Sequence, residues 1–214
     1  MYQLKNFECI KNKITAISNS IKIIAVTKGQ PMEVIQPIIK TGHLHYGENR
    51  VQEAMVKWKN IITVNTNINL HLIGHLQTNK VKEAVNLFNY IHTLDSEKLA
   101  KLLSAEEEKK NKRIKYFIQI NMGNETQKTG IKVEHVSAFK EYCLNSLKLN
   151  VIGLMCIPPA KGDPSFFFNK LLAIAKEENL SELSMGMSDD YETATQYGTT
   201  YLRIGRAIFS EHSQ

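Results

Sequence analysis

The feature that most constrains this chain is a regular alternation of short apolar runs with segments of helical spacing. The runs are Ile21–Thr27, Leu44–Tyr46, His71–Gly74, Tyr90–Thr93, Lys115–Met122, Leu149–Ile157, Leu183–Met185 and Thr200–Ile204. Between them lie helical patterns at Met32–Thr41, Glu48–Lys59, Asn79–Phe88, from Glu97 onward, at Glu134–Leu144, Phe166–Glu178 and Asp189–Tyr197, with a last helical turn from Gly205 or Arg206. Val34, Ile35, Ile38 and Ile39 share one face of the first, and Val51, Ala54, Met55 and Trp58 one face of the second. Asp95 or Ser96 is placed to cap the helix that follows it, and Ser188 the helix from Asp189.

Eight strand–helix units in register predict an α/β fold, a (β/α)8 TIM barrel. At 214 residues the chain is near the short end for that fold, so few insertions and one domain over residues 1–214 are expected. A doubly wound open sheet shows the same alternation, and periodicity alone does not separate the two.

The formal net charge of +6 invites a nucleic-acid reading. The basic side, however, holds 23 lysines against four arginines, Arg50, Arg113, Arg203 and Arg206. Phosphate and base recognition favour the guanidinium fork, so a lysine-rich solvated exterior is the plainer account. Met1–Ile24 is interrupted by Lys5, Glu8, Lys11, Lys13 and Lys22 and does not read as a signal peptide. No window approaches a membrane span. Cys9, Cys143 and Cys156 are widely spaced, with no C-x-x-C pattern, which supports neither a zinc site nor a disulfide framework. The expected location is the cytoplasm, with no membrane, metal or nucleic-acid partner.

In a barrel, chemistry sits at the C-terminal ends of the strands. Lys28 ends the first run and precedes Gly29. An amine partly desolvated there is free to attack a carbonyl, although a lysine snorkelling at the rim reads the same way. Arg203 lies inside the eighth run between Leu202 and Ile204, a costly position unless it is paired or bound to a ligand. Gly205 and Arg206 then open a helical turn whose bare N–H groups suit a phosphate, the alternative being a glycine cap beside two surface arginines. Ser184 or Ser188, from the seventh strand end, would hydrogen-bond that phosphate, the alternative for Ser188 being a plain helix cap. Asn49 and His75 follow the second and third strands, either lining the mouth or serving the backbone. A Schiff-base lysine, a phosphate cradle and a strand-eight arginine together suit a phosphorylated aldehyde, with pyridoxal phosphate the candidate.

The motifs Ala25–Lys28, Gly47–Glu53, His71–Lys80, Gly153–Pro158, Leu183–Asp190 and Arg203–Phe209 resemble the pyridoxal phosphate homeostasis protein family, and the resemblance runs from Ile23 to Phe209. It implies a barrel of the alanine racemase N-terminal-domain type that holds pyridoxal 5'-phosphate as an internal aldimine on Lys28. It implies Arg203 at the pyridine nitrogen, and the phosphate at the Gly205–Arg206 turn with serine help from strand seven. The implied role is intracellular pyridoxal phosphate homeostasis, and indirectly control of amino- and keto-acid pools, without robust catalysis. Arg206 departs from the small hydroxyl residue common at its position in the family. Its backbone N–H remains available.

Arg203 itself argues against strong catalysis, because an always-charged partner disfavours protonation of the ring nitrogen that makes the cofactor an electron sink. Racemisation also needs a second acid/base on the opposite face, which a barrel filling these 214 residues leaves no second domain to supply. The expectation is therefore a monomeric carrier or regulator in transient contact with apo-enzymes. The alternatives are a small pyridoxal phosphate-dependent racemase or lyase, a cofactor-free Schiff-base aldolase and, from charge alone, an RNA-binding module.

Overall fold

Eight strands close into one barrel in sequence order, every neighbouring pair parallel and the eighth pairing with the first. The computed structural model describes residues 1–123, 129–159 and 162–211. The strands are β1 (Lys22–Val26), β2 (His45–Glu48), β3 (Asn69–Leu72), β4 (Tyr90–Leu94), β5 (Lys115–Gln119), β6 (Asn150–Met155), β7 (Glu182–Ser184) and β8 (Tyr201–Ile204). The helices are α1 (Tyr2–Ile17), α2 (Met32–Ile39), α3 (Val51–Val64), α4 (Val81–Leu87), α5 (Glu97–Lys110), α6 (Val136–Glu141), α7 (Pro164–Glu177), α8 (Tyr191–Thr195) and α9 (Arg206–Phe209). The barrel reading is right, and closure of β1 on β8 excludes the open sheet.

Two apolar layers make the core. One lies between the strands and the outer helices, where Ile35, Trp58, Leu103 and Phe168 are fully buried. The other fills the barrel with Ile24, Val26, Tyr90, Phe117, Met155 and Tyr201. Each strand serves both layers because successive side chains alternate faces. On β5, Tyr116 and Ile118 join the outer layer and Phe117 the inner one.

Three local readings change. The first helix, α1, was not anticipated. Phe7, Ile10 and Ile14 bury one stripe of it, but lysines crowd the rest and dilute the pattern. Tyr2 and Asn6 donate hydrogen bonds to the carbonyls of Ile208, Phe209 and Ser210, closing the end of α9. Glu48 belongs to the end of β2, and α3 starts only at Val51. Ser188 does not cap α8, which begins at Tyr191 with Asp190 at its N-cap. The cap of α5 is Ser96, whose Oγ accepts from the Leu99 N–H.

Gly153 on β6 shows how tightly the strands meet. A Cβ there would stand 1.9 Å from the Glu182 carbonyl oxygen on β7. The oxygen belongs to the sheet backbone, as does the Cα that would carry the Cβ, and neither yields cheaply. Gly153→Ala is expected to cost about 3 kcal/mol or more, the upper end for overpacking, read as a lower urea midpoint. A change within 0.5 kcal/mol would contradict this packing. No helix among the described residues is long and apolar enough to cross a membrane.

Candidate functional site

The inward face of each strand carries one side chain in two, so polar residues at these positions follow the apolar interior toward the mouth. On β1, Ile24 and Val26 point inward and Lys28 continues the same face two residues on. On β8, Tyr201 is followed by Arg203 and then Gly205. A cavity of about 340 Å³ opens at this end, within the range of small-molecule sites. Lys28, Asn49, Ser188, Arg203, Gly205 and Arg206 line it, with Val26 and Ile73 forming an apolar wall. Lys28 is exposed, so the partial desolvation expected of it is not found. The buried run that starts in β1 ends one residue earlier, at Thr27 just past the strand.

Arg203 is buried, with 4% of its surface exposed. One guanidinium nitrogen donates to Ser184 Oγ at 2.7 Å and another to the Cys156 carbonyl at 2.9 Å. Burial lowers its pKa, with Cys156 and Asp190 acting the other way, but a guanidinium stays charged. Ser184, fully buried beneath the cavity, thus holds Arg203.

The loop after β7 is clipped to the start of α9. Ser188 Oγ accepts from the Ala207 N–H at 3.1 Å, and Arg206 pairs with Asp189. Asp190 Oδ1 accepts from the Met187 N–H at 2.6 Å and shapes the loop itself. Ser188 is thus drawn across to α9, which is why it is not the cap of α8. The Arg206 guanidinium is exposed and its charge is spent on Asp189 at the rim. A Cβ at Gly205 would stand 3.2 Å from Val26 Cβ, so the absence of a side chain lets this turn lie close on β1.

The backbone around Lys28 is anchored on both sides by α3. Glu48 Oε1, fully buried, accepts from Thr27 Oγ1 at 2.7 Å, Lys57 Nζ at 2.8 Å and Trp58 Nε1 at 2.9 Å. Lys57 Nζ also donates to the Thr27 carbonyl at 2.7 Å. On the far side the Gly29 N–H donates to Glu53 Oε1 at 2.6 Å. Burial opposes the Glu53 charge, but the Gly29 N–H and Lys57 outweigh it and hold the carboxyl below its ordinary range. Gly29 sits at φ +69°, where glycine is the residue that pays no steric penalty.

A second set of residues was missed. Beneath Ser184 a line of imidazoles crosses the barrel. His92 Nδ1 is 2.7 Å from Ser184 Oγ, His71 Nδ1 is 2.9 Å from His92 Nε2, and His45 Nδ1 is 2.9 Å from His71 Nε2. His71 stacks on Tyr90 and His92 on Phe117, with centroids 4.2 and 4.3 Å apart. The sequence signal was a histidine inside each of three short apolar runs, Leu44–Tyr46, Leu70–Leu72 and Ile91–Thr93. His75 lies elsewhere, exposed at a neighbouring cavity of about 520 Å³ that Asn49 also lines, with Nδ1 3.2 Å from Asp95 Oδ2. Among the described residues no group of three or more His, Cys, Asp or Glu side chains is placed to hold a metal ion.

The alanine racemase N-terminal domain family matches over residues 4–213. The pyridoxal phosphate homeostasis protein of Aquifex aeolicus is 37% identical over 202 residues, covering 90% of this chain and 88% of that one. The chain belongs to the pyridoxal phosphate homeostasis proteins. The family member of Escherichia coli K12 is 30% identical over 220 residues, covering 95% and 94%. The structure of PipY of Synechococcus elongatus with PLP bound superposes with a TM-score of 0.88 at 29% identity, over 97% of this chain and all of that one. The alanine racemase of Corynebacterium glutamicum, at 16% identity and a TM-score of 0.74, shares the fold and is matched over 62% of its length.

Proposed function

We propose that the cavity at the barrel mouth binds pyridoxal phosphate and that the protein serves its homeostasis as a carrier or buffer. The observation that carries this reading is the convergence of three different groups on one cavity. They are an accessible primary amine, Lys28, a buried guanidinium, Arg203, and the Ser188–Ala207 clip at the start of α9. These match the aldehyde, the ring nitrogen and the phosphate of one small molecule. The donor set fits. Lys28 would hold the group at its aldehyde carbon, releasing the carbonyl oxygen as water, Arg203 would donate toward the ring, and Ser188 with the backbone of Gly205 and Arg206 would receive the phosphate. Asn49 borders the same space. Ser184 keeps Arg203 in place from below. When bound, the group supplies an electrophilic aldehyde and a conjugated ring.

Arg203 is a fixed positive charge at the ring, where a carboxylate would favour ring protonation, and this favours retention of the cofactor over turnover. The homeostasis proteins of Aquifex aeolicus and Escherichia coli, and PipY with PLP bound, support pyridoxal phosphate as the ligand and its homeostasis as the role. We place the activity in the cytoplasm, in a single-domain monomer that meets apo-enzymes transiently.

The test is spectroscopic. Purified protein mixed with pyridoxal phosphate is expected to show a visible absorption band. Borohydride should fix the cofactor as a secondary amine on Lys28, located by mass. Lys28→Ala should abolish both band and adduct. An adduct of unchanged yield in Lys28→Ala would overturn the lysine assignment. Steady turnover of an amino-acid panel, lost in Lys28→Ala, would favour the racemase or lyase alternative.

A further inference from the structure

The histidine line has a direction, and Arg203 sets it. A guanidinium only donates. Ser184 Oγ therefore accepts from Arg203, and among the described residues the acceptor beside its own proton is His92 Nδ1 at 2.7 Å. His92 must then carry its proton on Nε2 and donate to His71 Nδ1. His71 in turn donates from Nε2 to His45 Nδ1. All three rings are thereby neutral, in the same tautomer, and each hydrogen bond points away from Arg203. Burial acts in the same sense, pushing His71 and His92 well below the usual histidine range, with His45 brought to about 4.

The line does the work that a carboxylate does for most buried arginines, but without a negative charge. Both acceptors of Arg203, Ser184 Oγ and the Cys156 carbonyl, are neutral. Among the described residues no carboxylate lies within ion-pair distance of it, and Asp190 acts on it only through space. An extra proton entering from the barrel base would need His45 Nδ1, which already accepts from His71, and it would meet Lys22 and Lys115 there.

We propose that His92 and His71, acting through Ser184, are positioning residues that fix the Arg203 guanidinium with its charge undivided, and so keep a ring nitrogen facing it unprotonated. The second half rests on the pyridoxal phosphate reading given above. The first half is a property of the protein alone.

The experiment uses the full chain with nitrogen-15 histidine, before and after adding pyridoxal phosphate. Peaks are assigned by single His→Gln variants. At pH 7.5, His45, His71 and His92 are expected neutral with the proton on Nε2. Arg203→Met should let the His92 tautomer redistribute. A His92 proton on Nδ1 in the unmodified chain overturns the proposal whatever the site binds. The ring is then read with nitrogen-15-labelled pyridoxal phosphate. It should be unprotonated in the unmodified chain and in Ser184→Thr, which retains the hydroxyl. Ser184→Asp places a carboxylate on Arg203 and should raise the ring-nitrogen pKa by about 1–3 units, the size of a close charge pair. A bound ring that titrates identically in Ser184→Asp overturns the proposal. Failure of the unmodified chain to form the Lys28 adduct overturns the reading of the site and the ring-nitrogen half with it, leaving the tautomer result to stand alone.

Discussion

Lowering the pH from about 6.5 to about 4 is expected to unfold this protein, through its histidines. Burial, with neighbouring positive charge, holds His43 and His45 near 4 in the fold, against an ordinary value of 6.5. For His43 the added charges are His45 and Lys11, and for His45 they are Lys22 and Lys115. His71 and His92 are also held well below the ordinary value, first by burial, then for His71 by His92, His45, His43 and Lys115, and for His92 by Arg203 and His45. The folded pKa values are depressed, so the unfolded chain takes up protons first as pH falls below about 6.5. Stability is therefore complete above that pH and is lost on the way down to the folded values. Each histidine contributes a slope of about 1.4 kcal/mol per pH unit once its unfolded form is charged, and four give about 5 kcal/mol per unit. A domain has about 5–15 kcal/mol to lose. Asp95 and Glu107, whose buried carboxyls are pushed up, oppose the trend in the lower part of the window. Urea midpoints taken at half-unit steps from pH 7.5 to 4.5 check this, with proton uptake on unfolding measured by calorimetry. Equal stability at pH 7 and 5 would show that these imidazoles titrate freely.

The same histidines mark where the sequence stops being legible. Strand number, order and the helical faces follow from local periodicity, and an eight-unit alternation needs no partner information to suggest a barrel. Lys28 and Arg203 were legible because each is a polar residue at the end of, or inside, an apolar run whose inward phase is set by its neighbours. Ser184 is offered with Ser188 as a phosphate ligand because the sequence shows a hydroxyl at a strand end and not its partner. Its hydrogen bonds go to Arg203 and His92, 19 and 92 residues away. Glu48 was read as opening a helix because a glutamate before an apolar helical face looks like one. Its placement on β2 depends on Thr27, Lys57 and Trp58 closing around it. Likewise, α1 was hidden because its lysines lower the contrast between its faces, and only the docking of Tyr2 and Asn6 on α9 reveals its role. Local pattern gives elements and which side chains face inward. Pairing of buried polar groups is a long-range property, and it decides what those inward positions do.

Disrupting the Glu48–Lys57 pair is expected to damage both stability and the lysine site, in proportions that separate the two. Glu48 is fully buried and Lys57 is 11% exposed, so neither charge can be rescued by water. Glu48→Ala removes the acceptor of Thr27, Lys57 and Trp58 at once and should cost about 3–5 kcal/mol, as for one half of a buried pair. Lys57→Met leaves the carboxylate with only the Thr27 and Trp58 donors and should cost a similar amount. The double change Glu48→Ala with Lys57→Met removes both charges, so it should cost less than the two single losses together by about 1–3 kcal/mol. Costs that add without coupling, from urea unfolding of the four proteins, would show that the pair is a packing contact and not an electrostatic one. The site is read separately. Lys57 also holds the Thr27 carbonyl, and Glu53 holds the Gly29 N–H, so these two residues fix the backbone on either side of Lys28. Glu53 is 32% exposed, and Glu53→Gln should change stability by less than about 1 kcal/mol. It weakens the anchor at Gly29 all the same, and the yield of borohydride-trapped cofactor on Lys28 should fall. Loss of stability without loss of trapping in Glu53→Gln would reverse this assignment, and it would make α3 a support for the barrel wall alone.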